Sequence, residues 1–351
     1  MDIEIKKWIL KFKLPAGTSR GVLLEKPVWF IILKDNNNIG IGECNPLKGL
    51  SIDDIPNFSE KLIEFAGIFK KNNHINLDYL NSYPSMKFGF EMAMLDLNQK
   101  EKSIFYPSKF TKGTDSITIN GLVWMGKKDF MVKQIEDKFA EGFTCIKLKI
   151  GAIDFNDELN ILKSIRSRFT EEQIEIRVDA NGAFDTHDAL EKLNRLSEYN
   201  IHSIEQPIKQ GNWKQMAELC ENPPIPIALD EELIKVRDYS ERRKMLEVIN
   251  PEYIILKPSL LGGFAETNQW IELAEGMNIK WWITSALESN IGLNAIAQYT
   301  YIKNNPLPQG LGTGKLYTNN ISSPLFIENG ELKYGDSSKW VLNEILNRNN
   351  Y

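Results

Sequence analysis

The sequence predicts an α/β fold: a (β/α) barrel preceded by an N-terminal α+β domain. Three observations predict it. From about residue 116, short β-rich runs recur every 25 to 30 residues, helix-length amphipathic segments separate them, and ionisable residues stand near the ends of successive runs. A chain of 351 residues also exceeds the size at which one hydrophobic core usually stops growing, so two structural units are expected.

Taken in order, the first unit (1–115) begins with strands. Ile3 and Ile5 alternate with charged residues in 2–13, and the stretch 27–43 is apolar over 28–33 and 39–42, on either side of an Asp35-Asn36-Asn37-Asn38 turn. This pattern predicts a small antiparallel meander. The apolar spacing becomes helical over about 53–71 and 84–100, where Pro84 suits a first helical position and Phe90, Ala93, Met94 and Leu97 share a face. In the second unit (116–315) the strand candidates are 117–123, 145–150, 175–181, 201–206, 225–231, 253–257, 280–285 and a weaker run at 309–313. Among the intervening helices, 186–198 places Leu190, Leu193 and Leu196 on one face. Periodicity alone fits an open doubly wound sheet as well; the placement of polar residues favours the barrel.

Composition excludes several classes of function. The apolar fraction of 42% suits globular packing, and a net charge of −5 with both signs interspersed offers no basic excess for a phosphate backbone, so nucleic acid is not an expected partner. No run of about 18 apolar residues and no basic-then-apolar leader occurs, so the expectation is a cytoplasmic protein without a membrane partner. Cys44, Cys145 and Cys220 have no metal or disulfide spacing and read as reduced thiols, with Cys145 a small core filler. His74, His187 and His202 are too scattered for a multi-histidine metal site, and His202 reads as a packing residue. There is no GxSxG elbow. Gly310-Leu311-Gly312-Thr313-Gly314-Lys315 lacks the spacing of a phosphate loop and reads as a barrel-end loop.

In a (β/α) barrel the C-terminal ends of the strands converge on one mouth. The predicted strands end in Lys147-Leu148-Lys149, Asp179-Ala180-Asn181, Glu205-Gln206-Pro207, Asp230-Glu231-Glu232 and Lys257-Pro258. The steps 149 to 179, 179 to 205, 205 to 230 and 230 to 257 are 30, 26, 25 and 27 residues, one βα unit each. Strand alternation puts Cys145, Lys147 and Lys149 on one face, and Arg177, Asp179 and Asn181 on another set of inward positions. A Lys-x-Lys pair by itself is usually a solvated edge, and a single buried acid is usually a cap or an ion-pair member. Joint placement is what distinguishes these residues. Three carboxylates on neighbouring strands inside a barrel need a cation, and all-oxygen ligation favours a hard ion such as Mg²⁺ over zinc.

The Lys-x-Lys, Asp-Ala-Asn, Glu-Gln-Pro, Leu-Asp-Glu and Lys-Pro-Ser motifs together resemble those of the enolase superfamily, in its muconate-lactonizing subgroup, and the resemblance covers nearly the whole chain. It implies a modified (β/α)7β TIM-like barrel under an N-terminal α+β capping domain, with residues 316–351 returning to the cap. It implies that Asp179, Glu205 and Asp230 bind Mg²⁺, with Mn²⁺ able to substitute, that Lys149 is an acid/base on one face of the substrate, and that Lys257 faces it from the other. Lys147, Asn181, Ser285, Ser19 and Gly310 are assigned to the substrate pocket, Lys147 also keeping the neighbouring charge positive. The chemistry implied is removal of a proton next to a carboxylate, giving an enolate whose charge the metal and Lys257 stabilise. A metal and a second cation would lower a lysine's proton affinity enough for it to act as a base.

Departures from sibling patterns narrow the resemblance. The mandelate racemase type has a histidine late in the barrel, where this chain reads Trp281-Trp282-Ile283-Thr284-Ser285; enolase lacks the Lys-x-Lys pair; and the Asp-x-Asp of dipeptide epimerases is absent from 285–290. What remains resembles the o-succinylbenzoate synthase family of menaquinone biosynthesis, through 40–47, 260–263 and 285–293. That family is a hydro-lyase acting on a small carboxylate, converting 2-succinyl-6-hydroxy-2,4-cyclohexadiene-1-carboxylate to o-succinylbenzoate. N-succinylamino acid racemase and muconate cycloisomerase share the same catalytic set and stay open as alternatives. A non-catalytic barrel would be expected to have lost one of the five charged positions, and none is missing. The segment 15–21, between two cap strands and rich in small residues, is expected to be a loop that closes over the mouth.

Overall fold

The computed structural model describes residues 1–18, 21–36, 38–124 and 126–346. It opens with an antiparallel meander of β1 (Asp2–Thr18), β2 (Gly21–Asp35) and β3 (Asn38–Cys44), with Ile5 opposite Ile31 and Ile32 opposite Ile41. The central strand is apolar without interruption over 28–33 because both of its faces are covered. Trp29, Ile31 and Leu33 pack on the cap helices α1 (Phe58–Asn72) and α2 (Pro84–Leu97), while Val28, Phe30 and Ile32 join the cluster that continues into the barrel. The first helix starts at Phe58, later than its apolar spacing suggests, because Pro56 disfavours helical backbone at the residue before it. Pro84 occupies the first turn of α2, and Phe90, Ala93 and Leu97 face the cap core.

Glycines set the depth of the α2–β3 contact. A Cβ on Gly42 would overlap the Gly89 carbonyl oxygen, and one on Gly40 the Ala93 carbonyl oxygen. Because the obstacle is backbone, Gly42→Ala is expected to destabilise the protein by about 3 kcal/mol. A thermal melt checks it, and an unchanged midpoint would contradict this packing.

The predicted segment 117–123 divides in two. β4 (Ser116–Thr118) leaves for a second sheet, and β5 (Gly121–Val123) begins the barrel. There follow α3 (Lys128–Ala140), β6 (Cys145–Lys149), α4 (Phe155–Arg166), β7 (Glu175–Asp179), α5 (Ala189–Ser197), β8 (Ser203–Glu205), α6 (Trp213–Glu221) and β9 (Ile227–Leu229). After the short α7 (Glu231–Ile234) come α8 (Tyr239–Ile249), β10 (Tyr253–Leu256), α9 (Pro258–Leu261), α10 (Phe264–Gly276), β11 (Lys280–Ile283) and α11 (Asn290–Ile302). β5 to β11 pair in sequence order, all parallel. The weak eighth run forms no strand; residues 309 and 310 make two parallel bridges, Gln309 to Ile119 and Gly310 to Thr284, which join the two sheet edges. Seven strands and this segment give eight positions around the ring. Gly310 is required there, since a Cβ would collide with the Thr284 side chain.

Two further expectations are corrected. Leu193 and Leu196 are buried on α5, but Leu190 is 51% exposed. The buried face is centred on Ala189, Leu193 and Leu196, and Leu190 lies one residue, about 100° of helical rotation, from Ala189. The segment 15–21 is not a plain loop: strand continues to Thr18 and resumes at Gly21, with a register shift between Lys11 and Ala16. Ser19 and Arg20, at its centre, lie outside the described residues.

Alternate strand positions separate two barrel layers. Ile146, Leu148, Ile176, Val178, Ile204 and Leu229 belong to the large core cluster, whereas Ala228, Tyr253, Ile255 and Trp282 form a small apolar plug with Leu307. Arg177 stacks over Trp282 at 4.2 Å, and His202 packs on Tyr253 at 5.1 Å. Past the barrel, the chain lies along β1 through hydrogen bonds from Lys13 N to Leu316 O (2.8 Å) and Thr318 N to Lys11 O (2.9 Å). It then forms the hairpin β12 (Leu325–Glu328) and β13 (Glu331–Tyr334), which pairs with β4. Among the described residues no helix is long and apolar enough to cross a membrane.

Candidate active site

Five charged side chains stand at the ends of five successive barrel strands. Lys149 ends β6, Asp179 ends β7, Glu205 ends β8, Asp230 follows β9 and Lys257 follows β10. Lys149, Asp179 and Glu205 are aligned directly by register. Around a ring of eight, the second and sixth positions are half a turn apart. The lysines of β6 and β10 therefore face each other across the mouth, with the acids of the third, fourth and fifth positions between them.

Contacts within this set are close. Lys147 Nζ donates to Glu205 Oε2 and lies 2.9 Å from Asp179 Oδ2. Lys149 Nζ donates to Asp179 Oδ2 and to Asn181 Oδ1, both at 2.7 Å. Lys257 Nζ donates to Asp230 Oδ2 and is 3.9 Å from Glu205 Oε1. Asn181, in left-handed backbone (φ 46°), passes the network on through Nδ2 to Glu231 Oε1 at 3.0 Å.

Burial and neighbouring charge compete at each group. Burial raises Asp179, but Lys147 and Lys149 outweigh it and hold the carboxyl well below its ordinary range. Lys257 does the same for Asp230. Glu205 goes the other way: burial, with Asp179 and Asp230 beside it, raises it well above the ordinary value despite Lys147 and Lys257. Burial lowers Lys257, yet Asp230 and Glu205 win and raise it. In this arrangement Lys257 is held as a cation, not loosened as a base, because its nearest neighbours are acids.

Whether the acids fit a metal ion is testable on the geometry. Among the described residues no three His, Cys, Asp or Glu side chains converge closely enough to hold an ion as they stand, since lysine ammoniums occupy the space between the carboxylates. Yet Glu205 Oε1 is buried and accepts no hydrogen bond, which leaves an acceptor without a donor at the centre of the cluster. Asp179, Glu205 and Asp230 offer only hard oxygen donors. The donor set fits a divalent cation, which Asp179, Glu205 and Asp230 would hold.

Above these groups lies a cavity of about 400 Å³, a volume suited to a small molecule. Lys147, Lys149, Asn181 and Lys257 form part of its lining, together with Ser285 and Gly310. Ser19 falls outside the described residues. Sequence reasoning missed much of the remaining lining, including Leu23, Leu47 and Leu50 from the cap, and Asn120, Trp124 and Thr313 from the barrel. Leu47 directly ends the compact 40–47 segment, a usable signal; nothing local marked Trp124 or Asn120. Gln206 was also missed as a support. In left-handed backbone (φ 41°), its Oε1 accepts from the Asp230 and Glu232 amides, both at 3.2 Å, which fixes the turn after β9.

Comparison with known proteins agrees with this fold. Residues 130–337 match the model of the enolase C-terminal domain-like family, and residues 9–97 match that of the MenC N-terminal domain. The chain is similar to an o-succinylbenzoate synthase of Desulfotalea psychrophila, 46% identical over 95% of this chain and 98% of that one. It is also similar to the crystal structure of MenC from Desulfotalea psychrophila LSv54, with a TM-score of 0.82 and 43% identity over 95% of this chain and 99% of that one. A dipeptide epimerase from Enterococcus faecalis, crystallised with Mg and the dipeptide L-Leu-L-Tyr, shares the fold at a TM-score of 0.81 and 17% identity, over 96% and 97% of the two chains.

Proposed function

The chain belongs to the o-succinylbenzoate synthase family of the enolase superfamily, and from that premise we propose how its residues divide the work of dehydrating 2-succinyl-6-hydroxy-2,4-cyclohexadiene-1-carboxylate to o-succinylbenzoate. The observation that carries the reading is the pair of lysines on opposed strands with three acids between them.

Lys149 is the acid/base. It takes the proton from the ring carbon bearing the carboxylate, and returns it to the hydroxide leaving the neighbouring carbon, so that water departs and the ring becomes aromatic. One lysine can serve both events if proton and hydroxide leave from the same face. Asn181, bonded to Lys149 Nζ, orients that ammonium. Lys257 stays a cation on the opposite face, where it stabilises the enolate charge, in keeping with its raised proton affinity. Asp179, Glu205 and Asp230 would hold Mg²⁺, for which Mn²⁺ can substitute. When bound, it supplies Lewis-acid stabilisation of charge on the substrate carboxylate. Leu23, Leu47 and Leu50 cover the mouth and exclude water from the enolate. Reduced Cys44, Cys145 and Cys220 are consistent with a cytoplasmic setting.

Purified protein assayed on the cyclohexadiene carboxylate, with N-succinylamino acids and muconate alongside, tests the assignment. Loss of the diene with formation of o-succinylbenzoate is expected. Turnover confined to N-succinylamino acids would replace dehydration with racemisation, which the opposed lysines could also carry out.

A further inference from the structure

A buried polar relay joins the cap to the barrel mouth and has no part in the chemistry above. Its centre is Glu288, fully buried in the turn after β11. Glu288 Oε1 accepts from Ser259 Oγ and from Asn45 Nδ2 (3.2 Å), and Oε2 accepts from Ser285 Oγ and from the Ala286 amide (2.8 Å). Four donors thus come from three places: the cap, the turn just after Lys257, and the pocket wall. On the cap side Lys26, 3% exposed, donates to Asn45 Oδ1. Burial pushes the Lys26 ammonium down to about 8, and Glu43 and Glu288 oppose that fall. A buried lysine is costly unless its charge is answered, so its placement beside two acids ties it to this carboxylate.

The turn that Glu288 holds is itself strained. Leu287 has φ 65°, in the left-handed region that a branched side chain rarely enters. Its carbonyl accepts from Tyr317 Oη at 2.7 Å, and Leu287 and Ser285 both line the cavity. Strain of this kind persists where the surroundings over-determine it, and it concentrates at ligand-contacting segments.

We propose that Glu288 is a positioning residue that sets the pocket wall formed by Ser285 and Leu287, and that Lys26 and Asn45 hold it from the cap, so the wall takes its binding shape only with the cap docked. The inference rests on the reading that this cavity binds the cyclohexadiene carboxylate. A wall that contacts substrate equally in its ground and transition states acts on KM and leaves kcat alone.

Glu288→Gln and Lys26→Met in the full chain test this, by steady-state kinetics together with amide hydrogen exchange over 285–289. Glu288→Gln keeps the volume but turns one acceptor into a donor that faces donors. The expected result is a KM raised about tenfold or more with kcat within about threefold, and exchange over 285–289 accelerated in both variants. Lys26→Met touches neither Ser285 nor Leu287, so faster exchange there reads the relay itself. Ser259→Ala, which removes a single donor, is expected to move both readouts the same way by less, and serves if Glu288→Gln does not fold. A lowered melting temperature with unchanged KM and unchanged exchange over 285–289 would overturn the proposal. If the wild-type protein does not turn over the cyclohexadiene carboxylate, the functional reading fails, while exchange in Lys26→Met still decides the relay.

Discussion

Lys149→Ala is expected to abolish dehydration, lowering kcat by about 10⁴-fold, the upper end for loss of a positioned acid/base. It is also expected to stop α-proton exchange with deuterated solvent in a substrate analogue that cannot eliminate. Lys257→Ala is expected to lower kcat by about 10² to 10³-fold, the range for losing one charge-stabilising donor, while retaining slow exchange. The difference follows from position. Both lysines pair with an acid, Lys149 with Asp179 and Lys257 with Asp230, but Lys149 also donates to Asn181 just past the end of β7, whereas Asp230 and Glu205 raise Lys257 and hold it as a cation. Deuterium incorporation followed by NMR separates the two. Exchange that survives in Lys149→Ala and vanishes in Lys257→Ala would reverse the roles, and exchange that needs both lysines would make two-base racemisation the principal activity.

Chelation is expected to remove turnover, and added Mg²⁺ or Mn²⁺ to restore it. Asp179→Asn, Glu205→Gln and Asp230→Asn are each expected to reduce activity to background without a comparable loss of stability. Glu205→Gln is the sharpest case. Its carboxyl is raised because it is buried beside two other acids, so a neutral side chain of the same shape removes repulsion that the fold otherwise has to bear. Full activity in a rigorously metal-free preparation would end the metal reading. A melting temperature that collapses in Glu205→Gln would instead show that its contact with Lys147 is the dominant support of the barrel mouth.

The regularity of the barrel made its architecture readable. One βα unit per 25 to 30 residues fixed the order of β6 to β11, and each charged motif fell at or just past the end of its strand. Legibility failed where the chain departed from that regularity. The segment 117–123 reads as one β-rich run, yet its first half pairs with β13, more than 200 residues later, and no local pattern encodes a choice between two sheets. The last barrel position is two bridges, too short to leave a period. Leu190 was misplaced because an i, i+3, i+6 spacing drifts around a helix, and burial followed Ala189 instead.

By itself the sequence determined the fold class, the cap meander, the run of barrel strands and the five charged positions. These are set by periodicity and by the covalent spacing of motifs, which act over a few residues to one βα unit. Tertiary structure alone decided what surrounds those charges: the lysines sitting among the acids, the leucines of 23, 47 and 50 over the mouth, and the Lys26–Asn45–Glu288 relay. Each of these contacts joins residues far apart in the chain. Their energies come from burial and from charges brought together out of water: the lysine–acid contacts exist only once the barrel strands lie side by side, the leucine cover and the relay only once the cap has docked.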